Sequence, residues 1–189
     1  NIVALTLGTA GFPATADARL ELAIEHILPA AARWGVPNEH IFLDPLVLTI
    51  SGNQEQVSEV VESVSFFSQV SDPPPMTTCG LSNISNGCPE EIRSLLNRIF
   101  LIMMMGAGLG SAIVDPLDEE LIEMLRIIND RDDSTPRGRL YLNLYDAYVA
   151  GEEFDISSID ANNSELENLV KTIQLLENKA LYAHSYLKI

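Results

Sequence analysis

Short apolar runs alternate along the chain with longer amphipathic ones. Residues 2–7 form an apolar run of strand length, and a Gly/Pro turn over 8–13 follows it. From about 15 to 34, Leu20, Ala23, Ile24, Ile27 and Leu28 fall on one face of a helix. Thr15 and Asp17 are its capping candidates, Gly35 is its stop, and Pro29 is expected to bend or break it. Residues 41–48 read as a second strand, interrupted by Asp44-Pro45. A second helix over about 54–69 carries Val57, Val60, Val61, Val64 and Phe67 at helical spacing and ends at Pro73-Pro74-Pro75. Residues 76–81 read as a third strand. The third helix opens near Pro89, where Glu90 and Glu91 suit the positive end of the dipole, and buries Ile92, Leu95, Leu96, Ile99, Phe100 and Met103. Residues 112–114 make a fourth strand, and Asp118-Glu119-Glu120 open a helix through Leu121, Ile122, Leu125 and Ile128.

The pattern is β-α four times over. Continuous apolar strands separated by helices predict an α/β fold with a parallel sheet covered by helices, either half of a (β/α)₈ barrel or a small doubly wound sheet. Residues 132–163 are polar, with an aromatic-rich helical piece at 140–148, and a last helix over about 164–179 carries Leu166, Leu169, Val170, Ile173 and Leu176. With 189 residues the chain suits one domain. Asn1 leads straight into a strand-like run, so the chain is expected to be part of something longer.

Charge and cysteine content narrow the function classes. A formal net charge of −16 with scattered Lys and Arg argues against nucleic-acid binding. Cys79 and Cys88 have neither metal-ligand nor disulfide-framework spacing, and His26, His40 and His184 are dispersed, so no metal is assigned and a reducing cytoplasm is expected. The apolar run 99–110 is too short for a membrane span and reads as a buried helix ending in a glycine turn. Met103-Met104-Met105 and the stripe of Tyr141, Tyr145 and Tyr148 read as packing, and residues 130–133 as a solvated turn.

In parallel α/β folds ligands collect at the carboxyl ends of strands. The pattern places Asp44, Ser82, Asn83 and Asp115 there. A carboxylate can accept two hydrogen bonds from a heterocycle edge, and an amide can follow a nitrogen whose protonation changes. Asp before Pro is also a turn former and Ser-Asn a loop pair, so both readings stand on these residues alone.

Several motifs in order resemble the pterin-binding methyltransferases that transfer methyl from methyltetrahydrofolate to a corrinoid protein. They are residues 80–85, Gly-Leu-Ser-Asn-Ile-Ser; residues 96–101, Leu-Asn-Arg-Ile-Phe-Leu; Gly108-Leu109; and Ala112-Ile113-Val114-Asp115. Residues 43–48, Leu-Asp-Pro-Leu-Val-Leu, are similar to that family's strand-six motif, and Val3-Ala4-Leu5-Thr6 before Gly11-Phe12-Pro13 to its strand five. The closing Leu181-Tyr182 and Ser185-Tyr186-Leu187-Lys188 resemble its C-terminal end. The resemblance implies a pterin-binding (β/α)₈ TIM barrel of which residues 1–189 supply about the last four β/α units, with an insertion at about 131–163. It implies that Asp44 hydrogen-bonds the pterin ring and that Asn83 sits by the methyl-bearing N5. Gly80, Ser82, Asn86 and Asp115 would complete the pterin contacts. It also implies methyltetrahydrofolate as substrate, a cobalamin-type corrinoid carried by a partner protein, and a homodimer. The family's Pro-x-Arg reads Pro89-Glu90-Glu91-Ile92-Arg93 here, with the arginine two positions later.

Two alternatives stand beside this reading. A fragment or non-catalytic module would bind pterin or dock a corrinoid protein without turnover. Dihydropteroate synthase shares the fold, but its strand-seven Ser-Arg-Lys type motif reads Gly80-Leu81-Ser82-Asn83 here, without a lysine.

Overall fold

A computed structural model of the chain describes residues 1–9, 11–156, 159 and 164–187. Residues 157, 158 and 160–163 of the expected insertion, and Lys188 of the C-terminal motif, lie outside that set. Three short strands, β1 (Ile2–Leu5), β2 (Ile41–Asp44) and β3 (Met76–Thr77), pair in parallel and in chain order. Ile2 lies opposite Ile41, Ala4 opposite Leu43, and Phe42 opposite Met76. The helices dominate, so the fold is mixed α/β with a small parallel sheet.

The strands are shorter than their apolar runs. β2 stops at Asp44 because Pro45 has no N–H to give a ladder, and Leu46 then turns the chain with φ 64°. The expected fourth strand is a single parallel bridge between Gly80 and Ile113. The Ile113 N–H reaches the Cys79 carbonyl at 2.8 Å and its carbonyl takes the Leu81 N–H at 3.1 Å. Just before it, side-chain bonds replace the ladder: the Gly110 N–H donates to Thr77 Oγ1 at 2.8 Å and Ser111 Oγ donates to the Thr77 carbonyl at 3.0 Å.

The first expected helix is continuous but uneven. α1 (Ala16–Leu22) is capped by Thr15, whose hydroxyl accepts from the Ala18 N–H. A π-helical turn (Ala23–Ile27) leads into α2 (Leu28–Arg33), and Pro29 stands in the first turn of α2. The widened turn accommodates a ring that lacks an N–H and crowds the preceding turn. Gly35, at φ 69°, ends the helix as expected. Then come α3 (Ile50–Asn53), α4 (Gln56–Phe67), α5 (Glu90–Gly106), α6 (Glu119–Asp130), α7 (Pro136–Ala150) and α8 (Ser164–Leu176). Asp118 caps α6 through the Leu121 N–H.

Ile41 and Leu43 pack with Ala23, Ala31 and Phe67 between the sheet and its first helices. The larger core gathers α4 to α8 around α5, whose Leu96, Ile99, Phe100 and Met104 are fully buried. Helix α7 comes from the stretch read as a polar insertion, yet Leu140, Tyr141, Leu142 and Leu144 are buried against this core. Gly106 lets α5 and α7 touch, since a Cβ there would lie 2.5 Å from Tyr148 Cβ.

Opposite the helices the sheet is uncovered. Val3 is 61% exposed, Leu5 50%, Met76 40% and Ile113 73%, so the run at 2–7 is not buried on both faces as its apolar pattern predicts. Among the described residues no helix is long and apolar enough to cross a membrane.

Candidate functional site

Asp44 closes β2, and Thr6 fastens it there. The Thr6 N–H and hydroxyl both donate to the Asp44 carbonyl, at 3.1 and 3.0 Å. Asp44 Oδ1 accepts the Leu46 N–H at 2.8 Å, which holds the left-handed turn at Leu46. Burial lifts the Asp44 carboxyl above the usual carboxylate range, partly opposed by that N–H.

Beneath this turn lies a residue that sequence reasoning missed. Arg19, on α1, is fully buried. Its Nε donates to the Pro45 carbonyl at 2.8 Å and its Nη2 to Gln56 Oε1 at 2.9 Å, while the guanidinium lies 4.9 Å from the Phe12 ring centroid. Gln56 in turn donates to the Ala14 carbonyl at 3.0 Å. Arg19 thereby ties α1 and α4 to the turn that aims Asp44. The signal was its spacing: Arg19 shares a helical face with the buried Ala16 and Ala23.

At the next strand end, Cys79 is buried and Gly80 bridges to Ile113. Burial, and then the negative charge of Asp44, push the Cys79 thiol up to about 12, so it is no nucleophile. A 3₁₀ turn (Leu81–Ser85) follows, with Leu81 and Ile84 plugged into the core and Ser82 and Asn83 exposed. A Cβ on Gly80 would stand 3.2 Å from Asn83 Nδ2, so glycine lets that amide fold back over the strand end. Thr49 Oγ1 donates to the Asn86 carbonyl at 2.5 Å and pins the far end of the turn.

Ser82, Asn83, Asn86 and Asp115 line one recess of about 540 Å³ at this end of the sheet. Its other wall is the start of α5, with Arg93, Ser94 and Asn97. Asp115 Oδ1 accepts the Leu117 N–H at 2.9 Å, and Arg93 Nε donates to the Cys88 carbonyl at 2.7 Å. Four of the six residues expected at the site therefore meet. Asp44 and Gly80 do not line this recess, although Asp44 stands at the adjacent strand end, where its charge acts on Cys79. The wall offers amides, hydroxyls and carboxylates beside the Arg93 guanidinium, and its acceptors suit a heterocycle edge carrying N–H groups. Among the described residues no group of three or more His, Cys, Asp or Glu is placed to hold a metal ion.

No family model matches the chain. Over 116 residues it is 37% identical to the methionine synthase of Mycobacterium tuberculosis, covering 60% of this chain and 10% of that protein. The Mycobacterium leprae methionine synthase gives 36% over 116 residues, with the same shares. Over 122 residues the chain is 29% identical to the methylcorrinoid:tetrahydrofolate methyltransferase of Eubacterium limosum, covering 65% of this chain and 44% of that protein. The match thus spans 10% of the methionine synthases and less than half of the third protein. By sequence the chain resembles part of each of these proteins, a similarity consistent with a pterin-binding methyltetrahydrofolate–corrinoid methyltransferase region.

Proposed function

We propose that this chain contributes the N5 side of a pterin pocket in a methyltransferase that moves a methyl group from methyltetrahydrofolate to a corrinoid carried by a partner protein. The observation that carries the reading is the meeting of Ser82, Asn83, Asn86 and Asp115 in one recess at the carboxyl end of a parallel sheet. An amine is a poor leaving group until protonated, so the task of the protein is to stabilise a proton on N5. Asn83 serves this because its side chain both donates and accepts, and so stays paired as N5 changes protonation state. Asp44 accepts from the amino edge of the ring through Oδ2, since Oδ1 already holds the Leu46 N–H. When bound, the corrinoid supplies the methyl-accepting cobalt. The Eubacterium limosum relative is named with methylcorrinoid first. One pocket serves either direction, because forward and reverse transfer share a transition state.

The same proposal covers the fold. Strands that follow one another in parallel and in chain order, continued by the Ile113 bridge, suit a segment of a (β/α)₈ barrel better than a doubly wound sheet, whose order reverses at a switch point. Further β/α units of a longer polypeptide would cover Val3, Leu5 and Met76 and carry additional pterin contacts, with about 131–163 inserted into the barrel. The position of Asp44 outside the recess favours one second reading, a pterin-binding or docking module without turnover.

The test is calorimetric titration of methyltetrahydrofolate into this chain and into the full-length polypeptide. Removing one hydrogen-bonding side chain from a ligand costs about 1–3 kcal/mol, so Asn83→Ala and Asp44→Ala should each weaken binding roughly 5- to 150-fold. No binding by either protein overturns the reading. Binding without methyl transfer to a corrinoid protein selects the module.

A further inference from the structure

We propose that Ser94 and Asn97 form the amide-binding end of the Asn83 recess, pairing with a neighbouring N–H and carbonyl of the ligand. The inference rests on the folate reading above. Both residues line the recess from α5, three positions apart and so on one face of the helix. Ser94 Oγ and Asn97 Oδ1 are themselves shut off from solvent and have no hydrogen-bond partner among the described residues, so a ligand in the recess pairs with them once the two side chains rotate toward it. Other polar groups of the same wall are engaged. Arg93 Nε donates to the Cys88 carbonyl, Asp115 and Asp118 accept the Leu117 and Leu121 N–H groups, and Ser85 Oγ donates to the Ser82 carbonyl.

Buried polar atoms are nearly always paired, and an unpaired one is costly enough that its retention calls for a reason. Packing gives none here, because the core side of α5 is already filled by Leu96, Ile99 and Phe100. A serine inside a helix commonly turns its hydroxyl back to the carbonyl four residues earlier, and Ser94 makes no such bond.

The donor inventory fixes the ligand class. Asn97 Oδ1 can only accept, so it calls for an N–H, while the Ser94 hydroxyl is free to donate to a carbonyl oxygen. An amide carries both on adjacent atoms. Methyltetrahydrofolate offers this chemistry twice, in the lactam edge of its ring and in the amide that joins the benzoyl group to glutamate.

Calorimetry with two probes tests the assignment and separates the sources: methyltetrahydrofolate, and a 5-methyltetrahydropterin without the benzoylglutamate tail. Asn97→Ala is expected to raise the Kd for methyltetrahydrofolate about tenfold and Ser94→Ala about three- to tenfold. Asn97→Asp keeps the accepting oxygen and should stay closer to the parent than Asn97→Ala. Weakening of both probes assigns the lactam, and weakening of the folate alone assigns the tail amide. Unchanged Kd values for both variants and both probes, with Asn83→Ala still impaired, overturn the inference and leave the folate reading standing. Failure of the parent protein to bind either probe overturns both. If Asn97→Ala does not fold, Ser94→Ala and Asn97→Asp carry the same comparison.

Discussion

Replacing Arg19 by methionine tests whether the buried guanidinium holds the turn that presents Asp44. Methionine keeps much of the length and apolar volume but removes the bonds at 2.8 Å to the Pro45 carbonyl and at 2.9 Å to Gln56 Oε1. The buried Pro45 carbonyl left unpaired costs about 1–3 kcal/mol and the part-buried Gln56 oxygen about 1 kcal/mol, which puts the loss at about 2–4 kcal/mol. The cation contact with Phe12 adds about 0.5–1 kcal/mol. Against this, the parent buries a cation that forms no direct ion pair among the described residues, and its desolvation, partly opposed by the charge of Glu59, lowers the Arg19 pKa. Relief of that penalty offsets part of the loss, so the expected net destabilisation is about 2 kcal/mol. For a chain of this size that corresponds to a drop in Tm of about 4–8 °C. Urea unfolding with linear extrapolation reads it directly, and Arg19→Lys, which retains a charge but not the planar fork, should fall between parent and Arg19→Met. A methionine variant as stable as the parent within about 0.5 kcal/mol would refute the idea that Arg19 clamps this turn.

Three other perturbations have defined signs. Burial raises the folded-state pKa of Asp44 above its unfolded value, so its contribution to stability is fully present below the unfolded pKa of about 3.9 and is lost as pH rises through the folded one. Asp44→Asn should therefore gain stability relative to the parent at pH 7 and not at pH 3 in paired urea titrations; an equal difference at both pH values rules this out. Gly106→Ala would set a Cβ 2.5 Å from Tyr148 Cβ and 2.8 Å from the Tyr145 carbonyl oxygen, an overpacking cost of about 1–3 kcal/mol that exceeds the helix-propensity gain of about 1 kcal/mol. Its Tm should fall, and a rise would show that α5 and α7 do not approach so closely. Thr135 caps α7 through the Gly138 N–H at 2.9 Å, so Thr135→Ala should cost about 1 kcal/mol and Thr135→Ser little, as measured by urea unfolding.

Helix ends were legible because capping is local chemistry. Thr15, Gly35 and Asp118 do what their residue types and positions suggest, without help from distant parts of the chain. Strand lengths were not, because an apolar run reports burial rather than extension. Val47 is buried through irregular backbone after Pro45, although it reads as a continuation of β2. Helix α7 was half visible. Its polar flanks suggested an insertion, while Leu140, Tyr141, Leu142 and Leu144 lie close in sequence and do not make the single stripe of a surface helix.

The candidate site divides along the same line. Asp44, Ser82, Asn83 and Asp115 stood out as polar residues at the ends of apolar runs, a contrast visible within a few positions. Arg19, Ser94 and Asn97 gave no such contrast, since their meaning lies in tertiary surroundings: Arg19 bonds Pro45 and Gln56, which are 26 and 37 residues away. The run at 2–7 is the informative mismatch. A strand with one solvated face should alternate apolar and polar side chains, as half-buried sheets do. Here Ala4 faces the helices, while Val3 and Leu5 on the other face are just as apolar and lie exposed beside Met76. The sequence of β1 thus encodes cover on both faces, and the described residues supply it on one, which is the physical basis for expecting further β/α units against this sheet.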